Sequence, residues 1–400
     1  VVQDTRELNR SAVLTQLLRD RPSSRKQIAV ATGISQPTVT RAVDELIGDG
    51  ILVEGEEIVV ESRGRRARSI DLVGDRCYLL GVDLGASSTR VLLIDLLATP
   101  LRVAVLPTPV GLGAAELAQW LARELREVIP DELWRRTSQV ALGLPGAVSQ
   151  DDFSVSNAPN LPAVEDAAFL TTLRAELGRP VHLDNDANYA LLGEQRFGAA
   201  KDAPNAAMLT LGAGLGAGLA VEGTLLKGNR GLVGEFGQLP VGPMGSRLEH
   251  LVTGPGIMRR AAEANVSLSE PAELFAKDTS PLIRSLRAQF DQALLIVLMA
   301  IVVSCEPSTI VLGGGISKSL AGELSQYEES LRTALRYAPK LTPAELGDFS
   351  GAAGAAVASL HAEYLAIGVQ REALTWLPGW ATLTAAALRQ VSQEPDHSGG

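Results

Sequence analysis

The period of the apolar positions changes along the chain. Between residues 6 and 20, Leu8, Val13, Leu14, Leu17 and Leu18 fall near helical spacing, which predicts an amphipathic helix ended by Pro22. Ser23 or Ser24 is placed to cap a second helix running through Thr32, which Gly33 breaks. Ser35 caps a third helix, with Pro37 early in it, where a missing N–H costs little. Val39, Val43, Leu46 and Ile47 give that helix an apolar face, and Gly48 and Gly50 end it. Ile51–Val53 and Ile58–Val60 read as strands on either side of an acidic turn. An Arg-rich stretch follows, and Ser69–Leu72 returns as a strand.

Beyond residue 74 the pattern becomes that of strands alternating with helices. Tyr78–Leu84, Arg90–Leu96 and Leu101–Leu106 predict strands, residues 114–129 an amphipathic helix, and Val140–Gly143 a strand running into Gly-Leu-Pro-Gly. Val181–Leu183 is a further short strand, Met208–Leu211 and Gly218–Val221 bracket a Gly-rich turn, helices fill 281–304, and Thr309–Leu312 runs into Gly313, Gly314 and Gly315. This is an α/β body. Four segments result: 1–73, 74–200, 201–370 (its last helices returning to the preceding lobe) and an extension, 371–400. In the extension Trp376–Trp380 reads as a turn and the last eight residues as disordered. The first segment and the body read as separate modules.

Composition narrows the picture. Four hundred residues imply two or three domains, and 46% apolar with 20% charged residues excludes wholesale disorder. Two cysteines, Cys77 and Cys305, exclude a disulfide scaffold and a Cys-rich zinc site, and suit a reducing cytoplasm. No apolar run reaches the roughly 18 residues of a membrane span; the longest, Ala293–Val303, is a buried helix or strand candidate. Val1, Val2, Gln3 and Asp4 do not read as a signal peptide, and no membrane partner is expected. The net charge of −10 argues against nucleic-acid binding by the whole surface, yet residues 1–71 are neutral, with eleven Lys+Arg and eleven Asp+Glu.

Three helices followed by a hairpin are the grammar of a winged helix-turn-helix. Ala29, Gly33 and Val39 supply the close helix approach, the turn and the anchor. Ser35, Gln36, Thr38, Thr40 and Arg41 stand at the start of the third helix, with polar groups able to reach base edges and phosphates. Arg63, Arg65, Arg66 and Arg68 form a basic wing for phosphates or the minor groove. The bland alternative is a dimerisation module of the same topology.

In the body, Gly81-Val-Asp83-Leu-Gly85-Ala-Ser-Ser-Thr89 ends a strand with a carboxylate beside small residues, which suits a nucleotide phosphate and its metal. Leu211-Gly212-Ala-Gly214-Leu-Gly216-Ala-Gly218 and Ile310-Val-Leu-Gly313-Gly314-Gly315 are two more such turns. Together they resemble the repressor–ORF–kinase (ROK) family of actin-like ATPase-domain sugar kinases, over about residues 5–370. The resemblance implies a two-lobed actin-like body. It divides the family into sugar kinases and sugar-responsive transcription factors, of which only the latter carry a winged helix-turn-helix.

The resemblance also implies the ligand residues. Within Leu183-Asp184-Asn185-Asp186-Ala187-Asn188, Asn185 would bind a sugar hydroxyl and Asp186 would be a kinase's catalytic base. Glu235 and Glu249 would accept sugar hydroxyls, Asn160 would make a further contact, and Gln238 would still be able to hydrogen-bond the sugar. Three departures count against catalysis. Gln238 stands where a zinc-binding His is usual, and Met-Gly-Ser-Arg-Leu after Pro243 lacks the zinc cysteines, so no zinc or other metal is expected. Ala86 and Ala213 alter two phosphate turns, which leaves Asp83, Gly85, Gly212, Gly214, Gly216, Gly313 and Gly314 as a vestigial phosphate site. No ATP cofactor and no enzymatic activity are expected, with Asp186 a vestigial base. The expected function is a cytoplasmic, sugar-responsive repressor that binds a palindromic double-stranded operator as a homodimer or dimer of dimers. The alternatives are a sugar kinase with an added DNA-binding domain, or a body that has lost its ligand and serves as a dimer scaffold.

Overall fold

The computed structural model describes residues 5–59, 66–241, 246–276, 280–375 and 383–393. Its first unit is built by local signals. Helices Thr5–Arg19, Arg25–Thr32 and Gln36–Gly48 follow one another, and strands Leu52–Val59 and Arg66–Leu72 pair antiparallel behind them. Ser24 caps the second helix in a reciprocal box: its hydroxyl accepts from the Gln27 N–H while the Gln27 amide oxygen accepts from the Ser24 N–H. Gly33 closes that helix at φ +70°, left-handed backbone that an L side chain rarely adopts. Ser35 caps the third helix through the Thr38 N–H, and Val39, Val43 and Leu46 are buried beneath it. Sequence expected two strands around an acidic turn. Instead one strand runs through Glu54, Glu56 and Glu57, its register slipping between Glu54 and Glu57 at a bulge. A strand can carry acids on its solvent side and absorb an extra residue without turning back.

The body contains two five-stranded sheets with the same topology. In the first, strands Tyr78–Leu84, Ser88–Asp95 and Pro100–Pro107 form an antiparallel meander, and Thr137–Leu144 and Val181–Asn185 add parallel strands on the other side of Tyr78–Leu84. In the second, Ala206–Leu211, Leu215–Val221 and Thr224–Leu225 form the meander, and Thr309–Gly313 and Lys340–Pro343 the parallel addition. Helices Ala114–Val128 and Ala167–Leu177 bury Leu121, Leu125, Phe169 and Leu173 on one face of the first sheet. Where sequence suggested several helices over 281–304, a single helix, Pro281–Cys305, covers the second sheet. Its length and apolar composition would suffice to cross a membrane; Leu294, Val297, Leu298 and Ile301 are buried in the core of this lobe.

Two helices lie inside the body. The site helix, Asp186–Phe197, touches strands of both sheets, and the return helix, Ser350–Ala366, packs on the site helix and on the first sheet. Their contact is close because it is made of small residues: a Cβ on Gly354 would stand 1.6 Å from the Tyr189 carbonyl oxygen. At its far end the return helix meets the first unit. Leu14, Ile51 and Leu72 share one apolar cluster with Leu79, Leu92, Leu360 and Tyr364 of the body. Arg76 donates to the carbonyls of Asp49 and Gly50, at the end of the third helix, at 2.8 and 3.3 Å. The expectation of separate modules is thereby corrected: the seam is a continuous core. Helices Arg371–Thr375 and Ala385–Gln393 are formed, the latter against the edge strand Pro100–Pro107, and Leu374, Leu383 and Leu388 are buried. The Trp376–Trp380 turn and the last residues, 394–400, lie outside the described residues.

Candidate ligand cleft and nucleic-acid interface

Every core strand that ends between the lobes delivers a side chain or turn there. Asp83 stands next to last in Tyr78–Leu84, Pro145 and Gly146 follow Thr137–Leu144, and Asn185 ends Val181–Asn185. From the other sheet come Thr210 near the end of Ala206–Leu211, Gly212 and Gly214 after it, and Gly314 after Thr309–Gly313. Carboxyl ends of strands are where open α/β sheets bind ligands. They enclose a cleft of about 300 Å³. Asn160, Asn185, Asp186, Glu235, Gln238 and Glu249 all line it, as do Asp83, Gly85, Gly212, Gly214, Gly216 and Gly314. Gly313 does not. It is the last residue of its strand, with the Met208 side chain against it, so the third turn reaches the cleft through Gly314 and Gly315.

Asn185 is the N-cap of the site helix: its oxygen accepts from Ala187 and Asn188 N–H at 2.9 and 3.3 Å, and its amide donates to the Gly146 carbonyl at 2.8 Å. One amide hydrogen is left for a ligand. Asp186 follows it into the cleft. Burial, then the charges of Asp83 and Glu235, push its carboxyl up to about 7. Burial, then Glu249, pushes Glu235 up to about 7 as well, and burial pushes Asp83 up to about 6 against the pull of Arg90, 4.0 Å away. Carboxyl groups held near neutrality can donate as well as accept, which matches hydroxyl groups that do both. Asn160 reaches across the cleft to the Ala213 carbonyl at 3.3 Å, linking the lobes. The Gln238 oxygen is occupied by the Arg247 guanidinium.

Sequence reasoning missed several supporting residues. Asp184 is buried, accepts from the Asn185 N–H and the Asn188 amide, both at 2.8 Å, and pairs with Lys227 at 2.5 Å. Lys227 thereby ties the segment leading to Glu235 to the opposite lobe. Asp184 stood in the motif; nothing local marked Lys227. Arg90, Asp348 and Ser350 also line the cleft, brought in by strand pairing and by the return helix.

Among the described residues zinc fits poorly here: the Gln238 amide is a weak zinc ligand and its oxygen is engaged by Arg247, and residues 242–245 lie outside the described residues. Among the described residues lining the cleft, Asp83, Asp186, Glu235, Glu249 and Asp348 face a single cation, Arg90.

On the first unit, Ser35, Gln36 and Arg41 are exposed and Thr38 and Thr40 half-buried at the start of the third helix. The Ser35 and Thr38 hydroxyls bond each other at 2.8 Å. Arg66 opens its strand opposite Val59, Arg68 pairs with Glu54 at 3.0 Å, and Arg63 and Arg65 lie outside the described residues.

Comparison with known proteins agrees with both halves. Residues 79–361 match the ROK family, and residues 6–53 match the winged helix-turn-helix DNA-binding family. The chain belongs to the ROK family. Within it, the chain is 26% identical over 242 residues to the xylose repressor of Caldicellulosiruptor bescii, covering 59% of each. It is 30% identical over 270 residues to the glucokinase of Thermotoga maritima, covering 62% of this chain and 84% of that one. The chain spans 53% to 59% of the length of several other curated relatives. The crystal structure of a ROK-family transcriptional regulator, a homologue of the E. coli Mlc protein, superposes with a TM-score of 0.72 at 20% identity, over 92% of this chain and all of that one. That likeness establishes the two-part architecture.

Proposed function

We propose that this ROK-family chain is a sugar-responsive transcriptional repressor. One observation carries the reading: a helix-turn-helix with an exposed polar helix start shares a continuous core with a cleft that gathers Asn160, Asn185, Asp186, Glu235 and Glu249. Paired amides and carboxyls suit a polyol, since each unpaired buried polar group costs about 1–3 kcal/mol. The effector is a sugar or sugar derivative seated between the lobes in the cytoplasm. Its binding shifts lobe geometry, the return helix carries the shift to the seam, and the spacing of two recognition helices in a homodimer changes on a palindromic operator. Gln36 and Arg41 read or hold the DNA, with Ser35, Thr38 and Thr40 positioning the helix start.

The test is a thermal-shift screen of the full chain against free and phosphorylated sugars, followed by operator release with any hit. A ligand at 100 times its dissociation constant should stabilise by about 2.7 kcal/mol. No hit across the panel would remove the sugar reading. A kinase is the second reading, favoured by Asp186 in the cleft and by the glucokinase relative. Among the described residues lining the cleft, a single cation, Arg90, facing five carboxyls opposes it. An ATP-coupled assay with magnesium and the hit sugar should stay at background; turnover near 1 per second, within the range of kinases, would replace the first reading by the second.

A further inference from the structure

The DNA-binding unit carries a carboxylate that is paired with two of its cations. Glu54 stands opposite Ile70, whose side chain is buried beneath the helices. Arg68, two residues from Ile70, alternates to that same face. Glu54 holds Arg68 through one oxygen at 3.0 Å and Arg25 through the other. Arg25, at the start of the second helix, in turn reaches Asp44 of the third helix at 2.7 Å. Two guanidiniums and two carboxylates therefore form one neutral chain linking the second helix, the recognition helix and the wing strand. Glu54 and Arg25 are about three-quarters covered, while Arg68 remains two-thirds exposed. The unit as a whole has the same balance: eleven cations and eleven anions in residues 1–71.

Resting on the DNA-binding reading above, we infer that Glu54 is a specificity-determining residue: by neutralising Arg68 beside the reading face, it suppresses binding to DNA of any sequence. Affinity that rises equally for every sequence comes from cations displacing the counterions of phosphates. A cation already paired to a carboxylate displaces none. What Glu54 removes is the uniform part of the affinity, which leaves discrimination to the base-facing side chains of the third helix. Arg68, expected from sequence to contact DNA directly, is thereby assigned a latent charge.

The experiment uses the full chain and sheared double-stranded DNA of mixed sequence, with affinity followed against salt. Glu54→Gln keeps the side-chain shape and removes the charge. It should tighten binding several-fold at low salt and steepen the slope of log affinity against log salt by about 1 per subunit. Adding Arg68→Gln should return the slope to its starting value. Asp44→Asn removes the other carboxylate and should shift the slope in the same direction by a smaller amount. It gives an independent reading if the Glu54 variant does not fold, which its melting transition reports. An unchanged or shallower slope in a folded Glu54→Gln, or a gain that survives Arg68→Gln, overturns the assignment while leaving DNA binding intact. If the unmodified chain shows no salt-dependent binding to any duplex, the DNA-binding reading fails first and this one with it.

Discussion

The cleft and the DNA-reading unit differ in how far apart in sequence their parts lie. Ser24 and Gln27, or Ser35 and Thr38, are three residues apart and settle a helix start between them. Ser350 and Glu194, bonded at 2.7 Å behind the cleft, are separated by 156 residues. The first kind of contact forms whenever its segment is helical; the second exists only once the return helix has packed on the site helix. The reading unit is thus specified locally and placed globally, while the cleft is global throughout. Substitutions should sort along that line.

The strongest test attacks what both regions share. Gly354→Ala puts a methyl group into the Tyr189 carbonyl, so the return helix must leave the site helix. Overpacking usually costs about 1–3 kcal/mol and occasionally more; here the upper end or outright misfolding is expected. The return helix borders both the cleft and the seam, so sugar-induced stabilisation and operator affinity should fall together in thermal-shift and binding assays. If one survives, the two regions are independent after all.

A second test isolates the cleft through pH. Asp83, Asp186 and Glu235 ionise near 4 when unfolded, but only near 6 to 7 in the fold. Between those values the folded chain binds more protons than the unfolded one, so stability falls as pH rises from about 4 to 7 and levels off above. Asp186→Asn should flatten part of that fall, melt above the parent at pH 8 and lose the sugar response, with DNA affinity retained. An unaltered pH profile would mean that the Asp186 carboxyl is not held out of water.

The complementary test isolates the reading face. Gln36→Ala should relax preference at one base pair of each half-site by about 1–3 kcal/mol in a competition assay, with the sugar-induced shift unchanged. If base preference does not move, the third helix does not read that position. The smallest effect comes from Ser24→Ala, which removes a helix cap worth about 1 kcal/mol. The loss should appear as a lower global melting temperature; an early separate transition would show the reading unit melting alone.

The same division explains what was legible in sequence. Caps at Ser24 and Ser35, the turn at Gly33 and the buried stripe of Val39, Val43 and Leu46 are period and neighbour effects, visible in a short window. In sequence the bulge at Glu54–Glu57 reads as a turn, because acidity near Gly55 signals a reversal unless the partner strand is known. In the cleft, Asn185, Asp186 and Glu235 came from family resemblance, and nothing local distinguishes their roles. Lys227 and Ser350 had no signal at all, since their partners Asp184 and Glu194 are 43 and 156 residues away. The seam carries no sequence signal for a related reason. Leu14, Ile51 and Leu72 would complete a small unit's own core equally well, and sequence does not say that Tyr364 joins them.

That seam bears on how such a chain can be re-engineered. Head exchange between regulators assumes that a recognition unit can be cut at its linker and grafted elsewhere. Here a cut at residue 73 would run through a core: the released head would present Leu72 and its neighbours to water, and the headless body would present Leu79, Leu360 and Tyr364. Each fragment would be sticky on the side it lost. A chimera that keeps the donor's Gln36–Gly48 helix but the recipient's seam residues would carry a new address on an intact joint.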